Sequence, residues 1–248
     1  MKKAILKTLS HSLDLIISPD IDGLTSAALL ADFNGSRIVG TYDKNVMALM
    51  DGIDPKECLF VDCDMNRPEF VSIGNHMRLS QGDNMSSKSF NPNVFYSVNK
   101  YNEKYPFATA FLISFAIGVP TSHQTKLTMA YADSTYKNLV NYGVNMNNWY
   151  KRMKHDELDF VFDLSEENVI ELLQLEEEFP KQGFVSRRLG ESKYLKAMSD
   201  VLDIELTQYR KFVPGKVDKN TLIRYNRDII SYAEIYGGEY AVTYDQEK

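Results

Sequence analysis

Two aspartates separated by one residue, Asp20 and Asp22, lie between an apolar run and Gly23. Two carboxylates at the end of a strand can each bind a divalent cation, and a glycine lets the backbone pass close to such a site. Oxygen ligands of this kind suit Mg²⁺ or Mn²⁺. The alternative is that Asp22 caps the following helix and Asp20 shapes a turn. The pair therefore predicts either a cation site or a capped junction between a strand and a helix.

Two further aspartates follow apolar runs in the same manner. Asp62 comes directly after residues 58–61, and Asp133 comes directly after residues 127–132, which we interpret as another strand. Because sites in α/β folds lie at the carboxyl ends of strands, we expect these side chains to meet the first pair. His76 can supply a nitrogen ligand, which favours Mn²⁺ over Mg²⁺. The alternative for His76 is an ordinary half-buried histidine.

The elements that must position these residues alternate between strand and helix along the N-terminal part of the chain. Apolar runs bounded by turn residues predict strands, and apolar residues at helical spacing predict helices. The predicted strands are residues 13–18, 37–42, 58–61, 72–79 and 127–132, and the predicted helices are residues 24–33, 45–52, 106–118 and 136–150. This alternation favours an α/β fold with a mostly parallel sheet and helices on both faces.

The character of the chain changes near residue 154. Residues 156–178 are rich in acids at helical spacing, and residues 181–227 carry eleven basic against five acidic side chains. Both stretches have the pattern of helices. We therefore predict an α/β domain at residues 1–154 and a smaller, helix-rich C-terminal unit at residues 155–248.

Composition limits the compartment and the class of partner. No apolar run approaches the roughly 20 residues that cross a bilayer, so no membrane span is expected. Cys58 and Cys63 are five residues apart in what looks like one extended segment, where they cannot form an ordinary disulfide, and this favours a reducing, cytoplasmic location. The net charge of -6 argues against a protein that coats nucleic acid. The basic stretch still allows a local basic face, and the oligomeric state is open.

Several of these segments resemble the DHH phosphoesterase superfamily, which includes RecJ-type exonucleases, oligoribonucleases, cyclic-dinucleotide phosphodiesterases and family II pyrophosphatases. The resemblance covers roughly residues 13–140. The segments similar to family motifs are, in order, Asp20-Ile21-Asp22-Gly23-Leu24-Thr25-Ser26, Asp62 after its apolar run, Asn75-His76-Met77 where Asp-His-His would stand, residues 107–113, and Ala130-Tyr131-Ala132-Asp133-Ser134.

The resemblance implies a two-cation centre that hydrolyses a phosphodiester of a nucleotide or short oligonucleotide by metal-activated water. In that arrangement Asp20 and Asp133 hold one ion, and Asp22 and His76 hold the other. Asp62 lies between the two ions, and with His76 it is central to catalysis. The implied cofactor is Mn²⁺ or Mg²⁺. Such ions clamp the phosphoryl oxygens and lower the pKa of a bridging water.

The chain departs from the family pattern at three positions. It has Ile16 where a metal-binding histidine usually stands, and it has Asn75 and Met77 in place of the outer residues of Asp-His-His. These differences support a second hypothesis, a catalytically inactive protein that binds a nucleotide or single-stranded nucleic acid. Residues 58–64 also look like the first motif of haloacid-dehalogenase-type phosphatases, in which an aspartate is phosphorylated, and this gives a third hypothesis.

Basic residues near the expected site are candidates for phosphate binding. Arg78 and Lys88 follow His76 in the sequence, and Arg187 and Arg188 could reach the site from the C-terminal unit. For each of them the alternative is a solvated surface position.

Overall fold

The computed structural model describes residues 1–79, 84–96, 100–179, 192–235 and 238–245. The strands are β1 (Asp14–Ile17), β2 (Arg37–Tyr42), β3 (Val46–Leu49), β4 (Leu59–Val61), β5 (Val71–Ile73), β6 (Thr207–Asp218), β7 (Ile229–Glu234) and β8 (Glu239–Asp245). The α-helices are α1 (Lys2–Leu9), α2 (Ile21–Asn34), α3 (Pro92–Phe95), α4 (Thr109–Ile117), α5 (His123–Tyr131), α6 (Thr135–Met153), α7 (Asp159–Phe162), α8 (Glu166–Glu178), α9 (Ser192–Leu202) and α10 (Lys219–Tyr225). All of these strands belong to one sheet, in the order β5-β4-β1-β2-β3-β6-β8-β7.

The sheet is parallel in one half and antiparallel in the other. β1 pairs in parallel with β2 and β4, and β4 pairs in parallel with β5. From β2 onward, through β3, β6, β8 and β7, each neighbouring pair is antiparallel. The predicted α/β class is confirmed. The prediction of a mostly parallel sheet is corrected to a mixed one.

The direction changes at the short connection between β2 and β3, where the sequence predicted a helix at residues 45–52. Oδ1 of Asp43 accepts hydrogen bonds from the backbone N–H groups of Asn45 at 2.9 Å and Val46 at 2.7 Å. Lys44 has a left-handed φ of 73°. An aspartate bound to its own following backbone favours a turn over a helix. The helix prediction is therefore wrong, and this segment returns as β3.

Different neighbours cover the two faces of the parallel strands. Leu15 and Ile17 of β1 pack into the larger core, which contains side chains of α2, α4 and α5. Ile16 faces the other way and packs with Phe212 of β6 and Ile230 of β7. Helices thus cover one face of β1, and strands of the antiparallel half cover the other in place of the predicted second helical layer.

The antiparallel half curls back over the carboxyl ends of the parallel strands. Ser231 of β7 forms a β-bridge with Met65, just beyond β4, and its hydroxyl lies 2.7 Å from the Tyr42 hydroxyl. The backbone N–H of Asn66 donates to the Ile230 carbonyl at 2.6 Å. These contacts join residues from both sides of the predicted boundary at residue 154.

The predicted strand at residues 127–132 is wrong, because most of this segment belongs to helix α5. The helix begins after Ser122, whose side chain accepts the backbone N–H of Thr125 at 3.1 Å. Leu127, Ala130 and Tyr131 are buried at helical spacing. Elsewhere near the site β1, β2, β4, α2, α4 and α6 confirm their predictions, and β5 is shorter than the segment predicted for it.

The C-terminal part of the chain contains strands as well as helices. Beyond residue 154 the described residues form α7 to α10 and also β6, β7 and β8, of which β6 is 12 residues long. The predicted helix-rich character is therefore incomplete, since these strands extend the common sheet. Within the described ranges, none of the helices has the length and apolar character needed to cross a membrane.

Candidate active site

A cleft of about 1070 Å³ lies between the carboxyl ends of β1 and β4 and the curled antiparallel strands. Its lining includes Asp20, Asp22, Asp62, Asp133 and His76. The structure therefore brings all five residues of the predicted metal site to one cavity.

Asp20 lies at the junction of β1 and α2, as predicted. Its carboxylate accepts hydrogen bonds from the backbone N–H of Gly23 at 2.9 Å and from the Ser18 hydroxyl. A Cβ at Gly23 would lie 2.1 Å from the Ser18 carbonyl oxygen, so only glycine allows this close approach. Burial raises the pKa of Asp20, and the charge of Asp133 raises it further.

Asp22 is buried and binds the amino end of α4. Its two carboxylate oxygens accept the backbone N–H groups of Thr109 at 2.7 Å and Ala110 at 2.9 Å. The alternative that Asp22 caps the following helix is therefore wrong, because Asp20 is the N-cap of α2 and Asp22 instead binds the first N–H groups of the distant helix α4. Burial raises the pKa of Asp22 well above its usual value, and the charges of Asp133 and Asp20 act in the same direction.

Asp62 follows β4 and has a left-handed φ of 57°. Its backbone N–H donates to the Ile73 carbonyl at 2.8 Å, which fixes the turn against β5. The Thr109 hydroxyl donates to Oδ1 at 2.8 Å. Burial raises the pKa of Asp62 well above its usual value. The charges of Asp22, Asp20 and Asp133 raise it further. The first turn of α4 thus contacts two of the predicted acids.

Asp133 reaches the cleft from a kink between α5 and α6, not from the end of a strand. It and Ser134 both have left-handed φ values, 52° and 53°. Oδ2 of Asp133 accepts a hydrogen bond of 2.6 Å from the side-chain amide of Asn75, which also donates to the Phe107 carbonyl at 2.9 Å. Asn75 therefore holds Asp133 beside the segment that leads into α4.

His76 is oriented by Asp64, a residue to which the sequence analysis gave no role. Oδ2 of Asp64 accepts the His76 backbone N–H at 3.1 Å and lies 2.9 Å from Nδ1 of its ring. Oδ1 accepts from the side chain of Asn91 at 2.7 Å. A proton on Nδ1 leaves Nε2 as the unprotonated nitrogen of a neutral ring.

The electrostatics of Asp64 differ from those of the other acids. Burial alone would raise the pKa of Asp64, but the hydrogen bond and charge of His76 and the charge of Arg78 bring it below its usual value. Gly74 makes room for this carboxylate, since a Cβ there would lie 2.4 Å from Oδ2. The Asp-x-Asp spacing from Asp62 was the available signal for Asp64, but the contact with His76 depends on the fold.

Two lysines that the sequence did not indicate also line the cleft. Lys44 projects from the β2–β3 turn and Lys216 lies on β6, and both are exposed. The turn chemistry at Asp43 could have located Lys44 on a hairpin. No local pattern marks Lys216, because its place depends on the curl of the sheet.

The predicted phosphate-binding residues lie elsewhere. Arg78 is 2% exposed and its guanidinium donates to the backbone carbonyl of Asp64 at 2.8 Å and stacks 4.3 Å from the Tyr232 ring centre. Lys88 is exposed and does not line the cleft. Arg187 and Arg188 fall outside the described residues. The structure thus gives Arg78 a packing role and brings neither it nor Lys88 to the cleft.

The donor atoms of the site suit a hard cation, but they are not arranged as a ready ligand set. Among the described residues, no three His, Cys, Asp or Glu side chains are placed to hold one ion. Oδ2 of Asp62 and Nε2 of His76 make no hydrogen bond within this part of the chain. Carboxylate oxygens with one imidazole nitrogen match Mn²⁺ or Mg²⁺ chemistry. Closure around an ion would therefore require side-chain rotation.

The chain matches no protein-family model, and its comparison with curated proteins gives no match.

Proposed function

We propose that the protein is a Mn²⁺- or Mg²⁺-dependent phosphoesterase that hydrolyses a nucleotide or a short oligonucleotide. The observation that carries the proposal is the convergence of Asp20, Asp22 and Asp62 in one cleft with only neutral hydrogen-bond donors as partners among the described residues. Buried carboxylates without a cationic partner are electrostatically unfavourable. A divalent cation removes that cost.

The residues that would hold such an ion are Asp20, Asp22, Asp62, Asp133 and His76. When bound, the ion supplies charge neutralisation at the phosphate and a water of lowered pKa. Burial and neighbouring acids raise the pKa values of Asp20, Asp22 and Asp62, and a bound cation would lower them again, because the deprotonated carboxylate is the form that a cation binds.

The protein's own groups have separate tasks. Lys44 and Lys216 line the same cleft as the acids, where their ammonium groups can bind the phosphate oxygens of a substrate. His76 has Nδ1 directed to Asp64, so Nε2 can accept or donate a proton at the reacting group when it does not bind an ion. Residues of β6, β7 and β8 complete the lining of the cleft.

The test is Mn²⁺-dependent release of mononucleotides from short 5′-labelled DNA and RNA oligomers. Wild-type protein should turn over, and Asp62→Asn should abolish turnover while it retains the acceptor for Thr109. Asp32→Asn, at an exposed position of α2, is the matched control and should remain active. Equal rates for the wild type and Asp62→Asn would exclude the proposed chemistry.

A second candidate is a protein that binds a nucleotide or single-stranded nucleic acid without hydrolysis. Two observations favour it. The side-chain amide of Asn75 donates to Oδ2 of Asp133, and the buried residues Ile16 and Met77 stand where the family that the chain resembles has histidines. Ligand binding that persists in a chelator, with no turnover under any cation, would favour this candidate over the phosphoesterase.

A further inference from the structure

A second cavity of about 270 Å³ adjoins the cleft, and His76 and Asp133 line both. We name it the side pocket, and its lining also includes Tyr101, Lys104, Asn138, Tyr142 and Asn145. They come from the segment before α4 and from α6. The volume is just below the range of about 300–1,000 Å³ for pockets that take drug-sized ligands, so it suits a single ring system.

Two asparagines of α6 give the side pocket two hydrogen-bond acceptors. The side-chain amide of Asn138 donates to the Pro106 carbonyl at 2.8 Å, and that of Asn145 donates to the Lys104 carbonyl at 2.7 Å. Only the NH₂ group can donate to a carbonyl, so these bonds fix the orientation of both amides. Each Oδ1 makes no hydrogen bond within the described part of the chain and remains available to a ligand.

The side pocket also contains aromatic and cationic groups. α6 is interrupted at Tyr142, where φ is -135° and ψ is 29°, and the Tyr142 side chain is 36% exposed. The ammonium group of Lys104 lies 4.6 Å from the Tyr101 ring centre. The pocket thus combines a partly exposed ring, hydrogen-bond acceptors and a hydrogen-bond donor.

We propose that the side pocket binds a nucleobase, which stacks on Tyr142 and places its polar edge against Asn138, Asn145 and Lys104. A nucleobase is planar and carries both donors and acceptors at its edge, and aromatic side chains stack on bases. The shared lining by His76 and Asp133 places the attached phosphate at the cleft. That last placement rests on the proposed function, whereas base binding can be tested alone.

Isothermal titration calorimetry in chelator measures this binding without turnover. The probes are the four nucleoside 5′-monophosphates, one at a time, and ribose 5-phosphate, which lacks the base. At least one nucleotide should bind about 5-fold or more tightly than ribose 5-phosphate. The fluorescence of Trp149, the single tryptophan, should change when a nucleotide binds, because its indole N–H donates to the Glu103 carbonyl at 3.0 Å beside the pocket. Equal affinities, or no binding heat with any nucleotide, would overturn the proposal.

Variants of Tyr142 locate the binding. Tyr142→Ala should weaken nucleotide binding roughly 5- to 100-fold, and Tyr142→Phe, which keeps the ring, should bind as the wild type does. Tyr209→Ala, at a 54% exposed position on β6, is the matched control. Circular dichroism checks that each variant folds. Unchanged affinity in folded Tyr142→Ala would assign the base to another surface.

The two proposals fail separately. Nucleotide binding that depends on the Tyr142 ring, without turnover, would support base binding in the side pocket and exclude the phosphoesterase. Turnover that depends on Asp62, together with equal affinity for nucleotide and ribose 5-phosphate, would support the phosphoesterase and exclude base binding in the side pocket.

Discussion

Gly74→Ala should destabilise the protein and disturb His76, because the new Cβ would lie 2.4 Å from Oδ2, 2.7 Å from Cγ and 2.8 Å from Oδ1 of Asp64. Real Cβ atoms essentially never approach closer than 3.0 Å, so the carboxylate must move. It is held by the backbone and ring of His76 and by Asn91. The movement therefore strains or breaks the hydrogen bonds to the buried Asp64 carboxylate.

The expected cost follows from two contributions. Overpacking of a filled interior costs about 1–3 kcal/mol. Loss of one hydrogen bond to a charged group costs about 1.5–3 kcal/mol. Partial relaxation makes the two contributions less than additive, so we expect a loss of about 2–5 kcal/mol in the free energy of unfolding. For a chain of this size that corresponds to a fall in Tm of about 4–20 °C.

Urea unfolding of wild type and Gly74→Ala measures this loss. Gly143→Ala is the control, since a Cβ at Gly143 in α6 has no atom within 4 Å and should change stability by at most about 1 kcal/mol. Histidine ¹⁵N spectra add a local readout, because the contact with Asp64 predicts a proton on Nδ1 of His76 in the wild type and not in the variant. A change under about 0.5 kcal/mol with an unaltered His76 spectrum would refute the described packing.

Four further outcomes are expected. Burial raises the pKa values of Asp22 and Asp62. In chelator, the stability that these two residues contribute is therefore fully present below their unfolded pKa of about 4. It should fall as the pH rises toward their folded pKa values, and thermal unfolding over that pH range measures the fall. Mn²⁺ at about 100 times its Kd should add about 2.7 kcal/mol of stability, and Asp62→Asn should remove this gain without lowering Tm in chelator. Asn75→Asp, which replaces the amide donor 2.6 Å from Asp133 with a carboxylate, should lower Tm in chelator and tighten Mn²⁺ binding measured by calorimetry. Lys216→Gln should raise KM with little change in kcat, because the lysine is exposed on the cleft wall.

The sequence predicts the parallel half of the fold well because its signals are local. The apolar run before Asp20, the glycine at position 23 and the helical spacing of α2 each identify an element without reference to distant residues. Since parallel strands end at one edge of the sheet, the convergence of Asp20 and Asp62 follows from the same signals.

The remainder depends on information that short segments do not contain. A run such as residues 127–132 is compatible with a strand or a helix, and burial against α2 and α8 decides for α5. Asp133 still reaches the cleft, because two left-handed residues turn the chain after that helix. The contacts of Asp64 with His76, and of Asp22 with α4, join segments that only the folded chain brings together.

The pairing of β3 with β6 affects how the chain folds during synthesis. The Thr207 hydroxyl donates to the Leu49 carbonyl across 158 positions of sequence. At about 5–20 residues per second, β3 would wait roughly 10–30 s on the ribosome for its partner strand. Throughout that interval its edge is exposed to other nascent chains, as are the side chains of Val46 and Ala48, which pack with Met198 and Leu206 in the folded protein. The nascent protein should therefore depend on chaperones until β6 has emerged, and fragments that end before residue 207 should aggregate.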